Sequence, residues 1–349
     1  MKTNLSVLCV VVFFFNFVIM AAEPVVLNYT SDGTFKIVQF TDTHLEVPEE
    51  IVKTDEKSLK RKAWIQTTLD NMMKTIDSVL EKENPNLVVF TGDNVLTSPK
   101  YLKNGWEILT APVVKRNISW VAIMGNHDHE GGRTNEKVLS IISELPKSLA
   151  ITGPKEVYGQ GNYVIMLDYK KKATTPLYFL DSNAYAKIGG YDWLRFSQID
   201  WFREQTAKIT AANNGVPLPS LAFFHIPLPE YEDAYSAVGG SSRHVGIRGE
   251  SGCWPKINSG MFASMFETKS VMGVFTGHDH DSDYAVMYHN ICLAYGRKTG
   301  HFCYLNHLRS GARVIKLFAG KRSFESWIRN DQGDVIDPFL FPDFFTQKK

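Results

Sequence analysis

Leu87-Val88-Val89-Phe90-Thr91-Gly92-Asp93-Asn94 is the stretch that decides the fold. Four apolar residues follow the turn signal Pro85-Asn86 and read as a buried strand. The run breaks at a glycine, which permits a tight turn, and then delivers a carboxylate and an amide. In α/β sheets the carboxyl edge of the strands is where ligands bind.

The same pattern recurs on both sides. Upstream, an apolar strand over 35–40 ends in Thr41-Asp42-Thr43-His44. Downstream, 120–124 ends in Gly125-Asn126-His127-Asp128, 221–224 ends in His225, and 271–275 leads into Gly277-His278-Asp279-His280. Five strands thus deliver Asp, Asn or His at their carboxyl ends. Further strands read at 163–167, 177–180, 285–287 and 314–317. Between them, Ile65, Leu69, Met72, Met73, Ile76, Val79 and Leu80 recur at helical steps and predict an amphipathic helix over 63–80; a second is expected over 197–211. Strands and helices alternate through the first two thirds, which argues an α/β architecture with helices covering sheets. The least regular stretch is 227–260, and long loops in compact domains are often functional.

The whole chain has 349 residues, long enough to bury a full core, and no linker or repeat divides it. A hydrophobic share of 44% with 21% charged residues is ordinary for a globular protein and excludes a disordered or collagen-like one. With 38 basic against 37 acidic residues, the chain lacks the cationic surplus that nucleic-acid binding needs.

The first residues give a compartment. Lys2, an apolar run over 5–20 and the small pair Ala21-Ala22 make the order of a secretory signal peptide cleaved near Ala22. The expected organisation is therefore a leader over 1–22 and a single domain over 23–349, with its core at about 34–320. No later stretch is apolar enough to span a bilayer, so a secreted or lumenal protein without membrane contact is expected. Export gives meaning to the sequons Asn28-Tyr29-Thr30 and Asn117-Ile118-Ser119. Cys9 leaves with the leader; Cys253, Cys292 and Cys303 remain, an odd number whose pairing the sequence leaves open.

Two aspartates, one asparagine and four histidines form a legible donor set: Asp42, His44, Asp93, Asn126, His225, His278 and His280. Carboxylate, imidazole and amide oxygen together suit manganese, iron or zinc. One aspartate can bridge two ions about 3.5–4 Å apart, and such a centre clamps a phosphoryl oxygen and generates hydroxide at neutral pH. Each motif alone is weak; their joint order, each directly after an apolar run, is the signal.

The series Asp42-x-His44, Gly92-Asp93, Gly125-Asn126-His127-Asp128, His225 and Gly277-His278-x-His280 resembles the calcineurin-like metallophosphoesterase superfamily. Within it, the chain is similar to a plant and fungal branch described as purple-acid-phosphatase-like, through residues 35–40, 225–230, 258–260 and 295–300. The resemblance implies two mixed β-sheets packed as a sandwich and flanked by helices. It implies that Asp42, His44 and His280 hold one metal, that Asn126, His225 and His278 hold another, and that Asp93 bridges them. His127 would donate a proton to the leaving alkoxide, with Asp128 orienting it. The implied activity is hydrolysis of phosphate monoesters, with diesters or pyrophosphates as the alternative, or a non-catalytic phosphate- or metal-binding role. The implied partner is a phosphorylated small molecule or phosphopeptide.

One departure matters. Purple acid phosphatases carry Gly-Asp-x-x-Tyr, and the tyrosine position here is Leu96; they carry glycine where this chain has His44. An imidazole replaces a phenolate, so no purple charge-transfer band is expected and the pair reads as iron with zinc or manganese, or two like divalent ions.

Other residues carry two readings each. His129 and Glu130 extend the third motif and either line the substrate side or lie on the surface. Arg297 and Lys298 are either a solvated loop pair or phosphate contacts. Tyr231 and Trp254 either stack on a leaving group or pack. Asp279 is expected to face away, and His244, His289, His301 and His307 read as structural.

Overall fold

The computed structural model describes residues 25–237, 244–304 and 307–346. The expected leader over 1–22 lies outside them.

Eight strands form one sheet in the order β1 (Val25–Asn28), β5 (Tyr163–Tyr169), β6 (Lys172–Phe179), β7 (Ser220–Phe223), β9 (Val271–Thr276), β11 (Ile291–Tyr295), β10 (Ala285–Tyr288) and β8 (His244–Val245). Six form the other: β14 (Val335–Phe341), β13 (Phe324–Asn330), β12 (Gly311–Phe318), β2 (Thr34–Phe40), β3 (Leu87–Thr91) and β4 (Ser119–Ile123). Both sheets are mixed. β2, β3 and β4 run parallel while β12 returns antiparallel to β2; β6, β7, β9 and β11 run parallel while β5 opposes β6. The helices are α1 (Glu56–Glu83), α2 (Leu102–Lys115), α3 (Asn135–Ile142), α4 (Phe196–Ala212), α5 (Glu230–Ala237), α6 (Met261–Thr268) and α7 (Asp343–Thr346). This is the α/β arrangement of two mixed sheets and outer helices that the sequence implied.

Strand alternation explains the layers. Phe35, Ile37, Leu87, Val89, Val121 and Ile123 point into one core shared with the eight-stranded sheet. Their neighbours Val38, Phe40, Val88, Phe90, Trp120 and Ala122 point the other way, under α1, α2 and α3. There the Trp106 and Trp120 rings stack with centroids 6.0 Å apart.

α1 begins seven residues before its periodic stripe. Asp55 caps it by accepting from the Ser58 amide, and the first turns, being exposed, carry no apolar pattern to read. α2 was not expected at all; Gly105 and Pro112 lie inside it, yet Leu102, Trp106, Leu109 and Val113 bury one face. β11, β13 and β14 were likewise not foreseen. Pro338 lies in β14, where the missing amide is tolerated because that strand is a sheet edge. The irregular stretch 227–260 contains α5 and β8, with 238–243 outside the described residues.

Asn28 and Asn117 are both exposed. Cys253, Cys292 and Cys303 are all unpaired thiols, so no two of the three are joined. Among the described residues no helix is long and apolar enough to cross a membrane.

Candidate metal centre

Parallel strands put their carboxyl ends at one edge, and β2, β3, β4, β7 and β9 end together there. Beneath them Gln39 clamps the two sheets: its Nε2 donates to Thr91 Oγ1 at 2.9 Å and to the Thr276 carbonyl at 3.0 Å. The chain then turns sharply after each strand. Asp42 (φ 52°), His44 (φ 48°), Asp93 (φ 51°) and His278 (φ 81°) all adopt left-handed backbone conformations. Such strain in non-glycine residues gathers at functional sites. Gly92 (φ 97°) packs so closely under the His225 ring that a Cβ there would collide with it. Gly125 lies as tightly against the Asp93 carboxylate.

The turns bring the predicted donors together. Asp42, His44, Asp93 and His280 offer ligand atoms that lie within 4.8 Å of one another, as do Asp93, His225 and His278. Asp93 belongs to both groups. Its Oδ1 accepts the His127 amide at 2.8 Å, while Oδ2 lies 3.2 Å from His225 Nε2 and 3.8 Å from His44 Nε2. His280 Nε2 is 3.4 Å from Asp42 Oδ1 and 3.2 Å from His44 Nε2. His225 Nδ1 donates to the Thr91 carbonyl at 2.8 Å, which turns Nε2 toward the cluster. Asn126 Nδ2 donates to the Tyr185 hydroxyl at 3.0 Å, leaving its Oδ1 free.

Electrostatics point to missing positive charge. Burial raises the Asp42 carboxyl, but the neighbouring His280 and His44 imidazoles outweigh it and hold the carboxyl well below its usual range. Asp93 is also depressed: burial opposes this, but His225 overcomes it. Burial lowers His225, yet the Asp93 and Asp42 carboxylates push it up to about 10. His280 goes up to about 9, against burial, through the Asp42 carboxylate beside it. His278 falls to about 3, through burial and the neighbouring His225. Within the donor set, the buried oxygens Asp42 Oδ1 and Asn126 Oδ1 have no hydrogen-bond partner. Buried polar atoms are costly to leave unpaired, and these two acceptor oxygens fit cations.

Asp128 departs from its expected role. It does not touch His127. Its carboxylate turns inward and accepts from the Gly125 amide at 2.7 Å, the Asn94 amide at 2.9 Å and Asn94 Nδ2 at 3.1 Å. It thereby ties the turn after β4 to the turn after β3. Burial, with Asp93 nearby, raises its carboxyl to about 6. The partner of His127 is Glu130, whose Oε2 lies 2.8 Å from His127 Nδ1. Glu130 Oε1 accepts from the Tyr185 hydroxyl at 2.9 Å. Asn126, Tyr185, Glu130 and His127 are therefore linked in one chain of hydrogen bonds.

Neither reading of Arg297 and Lys298 holds. Both are buried. Arg297 pairs with Asp283, and Lys298 Nζ donates to the Gly300 carbonyl at 2.7 Å. They brace the loop that bridges to Thr41 at the end of β2. Tyr231 packs in the core, its hydroxyl on the Val274 and Ala294 carbonyls. Trp254 is half-buried beside Gly252. Asp279 does not simply face away: its carboxylate accepts from the Tyr295 hydroxyl at 2.7 Å and the Cys253 amide at 3.0 Å, and with Cys253 and His278 it offers ligand atoms within 4.8 Å of one another.

Three tyrosines at the site had no motif to announce them. Besides Tyr185, the Tyr191 ring lies 4.3 Å from that of His278 and the Tyr304 ring 4.7 Å from that of His280. Leu96 donates its amide to the Leu45 carbonyl and supplies no phenolate.

Comparison with known proteins agrees with this geometry. The "Calcineurin-like phosphoesterase" family matches residues 35–282. An Arabidopsis thaliana protein named "Probable inactive purple acid phosphatase 14" is 33% identical over 301 residues, 80% of this chain and 73% of its own. "Phosphatase DCR2" of Saccharomyces cerevisiae is 36% identical over 276 residues, 74% of this chain but 46% of its own. In fold, the chain is similar to a dimetal phosphatase from Danio rerio (TM-score 0.55, 9% identity, 88% of this chain and 98% of that one). It is also similar to the purple acid phosphatase PPD1 from yellow lupin (TM-score 0.51, 14% identity, 90% of this chain and 55% of that one). With the family matched over most of its length, and its strand ends carrying the donors described above, the chain belongs to the calcineurin-like phosphoesterases.

Proposed function

We propose that this chain is a secreted phosphomonoesterase that works with two metal ions. The observation that carries the reading is the convergence of six donors in two groups that share the Asp93 carboxylate, with the Asn126 oxygen buried and unpaired. Asp42, His44 and His280 would hold one ion, Asn126, His225 and His278 the other, and Asp93 both. Bound there, the ions supply the positive charge that clamps a phosphoryl group and activates water at neutral pH.

The rest falls to side chains. Tyr185 engages the Asn126 amide nitrogen, which leaves its oxygen free to take a metal. Glu130 engages His127 at Nδ1, which leaves Nε2 to give a proton to the leaving oxygen. Burial raises Glu130, but the hydrogen bonds from His127 and Tyr185 together outweigh it and hold the carboxyl below its usual range. Asp128 acts one step back, by fixing the turns that carry Asp93 and Asn126.

Relatives named as inactive purple acid phosphatases lend the family but leave the activity open. The chemistry here argues for turnover, since every donor position is filled and His127 has a carboxylate partner. The test is hydrolysis of p-nitrophenyl phosphate and its bis ester by protein reconstituted with iron, manganese or zinc. Monoester turnover lost in Asn126→Ala and His127→Ala is expected. Diester turnover alone would move the assignment to a phosphodiesterase; none with any metal would leave a binding protein.

A further inference from the structure

The loop over 248–253 runs beside the turn that carries His278 and His280. Arg248 bridges to Ser282, and the Gly249 amide donates to the Asp281 carbonyl at 2.8 Å. Glu250 Oε1 accepts the Asp281 amide at 2.5 Å. The Cys253 amide donates to both oxygens of the Asp279 carboxylate, at 3.0 and 3.2 Å. This pairing sets Cys253 opposite Asp279 and beside His278, and the three offer ligand atoms within 4.8 Å of one another. Cys253 is exposed, while Asp279 and His278 are buried behind it. Neither Cys253 nor Asp279 takes part in the proposed phosphoryl chemistry.

The donor set differs from that of the inner cluster, which holds carboxylates, imidazoles and an amide. Here a thiol joins one imidazole and one carboxylate, and sulfur selects softer ions such as zinc and its congener cadmium. A tetrahedral ion with bonds of about 2.0–2.3 Å keeps its ligands roughly 3.5 Å apart, so the three atoms need to close by only about 1 Å, with a fourth position left to water. Burial and the Asp279 carboxylate push the Cys253 thiol up to about 11, so it keeps its proton until a cation takes the proton's place. His278 belongs to both groups, with Asp93 and His225 on one side and with Cys253 and Asp279 on the other. A neutral imidazole has one acceptor nitrogen, so it serves one ion at a time.

We propose that Cys253, His278 and Asp279 form a separate, thiolate-containing site for a soft divalent ion, which competes with the inner pair for His278 and halts hydrolysis when that ion is in excess. The loss of hydrolysis rests on the phosphomonoesterase reading; the site itself does not.

The test adds cadmium to the zinc-loaded full chain and follows the ultraviolet thiolate-to-cadmium charge-transfer band. Carboxylate and imidazole ligands give no such band, so it reports sulfur alone. The band is expected in wild type and in Cys303→Ser, which removes the thiol beside His280, and is expected to vanish in Cys253→Ser. If Cys253→Ser does not fold, alkylating the exposed thiol of folded Cys303→Ser should remove the band instead. No band in wild type, or a band that survives the loss or alkylation of Cys253, overturns the site. In the same samples hydrolysing p-nitrophenyl phosphate, each measured against its own cadmium-free rate, the cadmium needed for half-inhibition should rise about tenfold or more in Cys253→Ser, since the soft ligand is gone. Equal inhibition of the two proteins overturns the competition for His278. If no ester is hydrolysed, the phosphatase reading fails and the band alone decides the site.

Discussion

At the scale of the residue, the third motif holds two carboxylates with opposite duties. Asp128 follows His127 directly, and consecutive side chains in a turn point different ways. Glu130, three residues on, is the one that reaches the ring. Asp128→Ala leaves the Gly125 and Asn94 donors unpaired in the interior, and should cost about 2–4 kcal/mol in a denaturation experiment. Glu130→Gln should leave the melting curve close to wild type and lower kcat by roughly tenfold, because the partner that orients His127 is weakened. A stability loss for Glu130→Gln matching that of Asp128→Ala would reverse the assignment.

The histidines set a pH dependence. Raised to about 10 and about 9, His225 and His280 carry protons at neutral pH. Their folded values lie above the unfolded value near 6.5, so their stabilisation is complete below about pH 6.5 and is lost as pH rises through 9 to 10. Metal ions take imidazole only in its neutral form. Metal uptake at pH 7 should therefore release protons, and apparent affinity should fall as pH falls. Calorimetry of zinc binding in buffers of different ionisation enthalpy measures the release directly; buffer-independent heats would contradict it.

At the scale of the element, each donor depends on how a strand ends. Gly92 combines φ 97° with the His225 ring against its α-carbon. Gly92→Ala should cost about 1–3 kcal/mol and lower the number of ions bound per chain, read by melting and by metal analysis. The seven donors were legible in the sequence because each follows a short apolar run, often through a glycine. α2 was hidden by Gly105 and Pro112, whose local cost is overridden by burial of Trp106 and its neighbours. Arg297 and Lys298 look like solvent-facing loop residues in sequence; only the packing of their loop against β2 shows them buried.

At the scale of the whole molecule, positive and negative charge balance. Without Lys2 the chain has 37 residues of each sign. The chain thus has no bulk surplus to attract an anion, so under the proposed function the attraction for phosphate would come from cations held at one edge of the sandwich. The two-sheet architecture was legible through resemblance, and the strand alternation in β2, β3 and β4 shows why it holds. The tyrosines of the site were not legible, because Tyr185 and Tyr191, which pair within the loop after β6, and Tyr304 carry no motif around them. None of the three stands at the position of Leu96, so iron-loaded protein should lack the visible phenolate band of purple enzymes; such a band in the absorption spectrum would contradict the ligand set.

The central claim is that two ions make this site a phosphomonoesterase. Titrating metal-free protein with zinc or manganese while following p-nitrophenyl phosphate hydrolysis tests it most directly. Turnover should rise with added metal and level off at two equivalents per chain; two ions bound with no hydrolysis would contradict it.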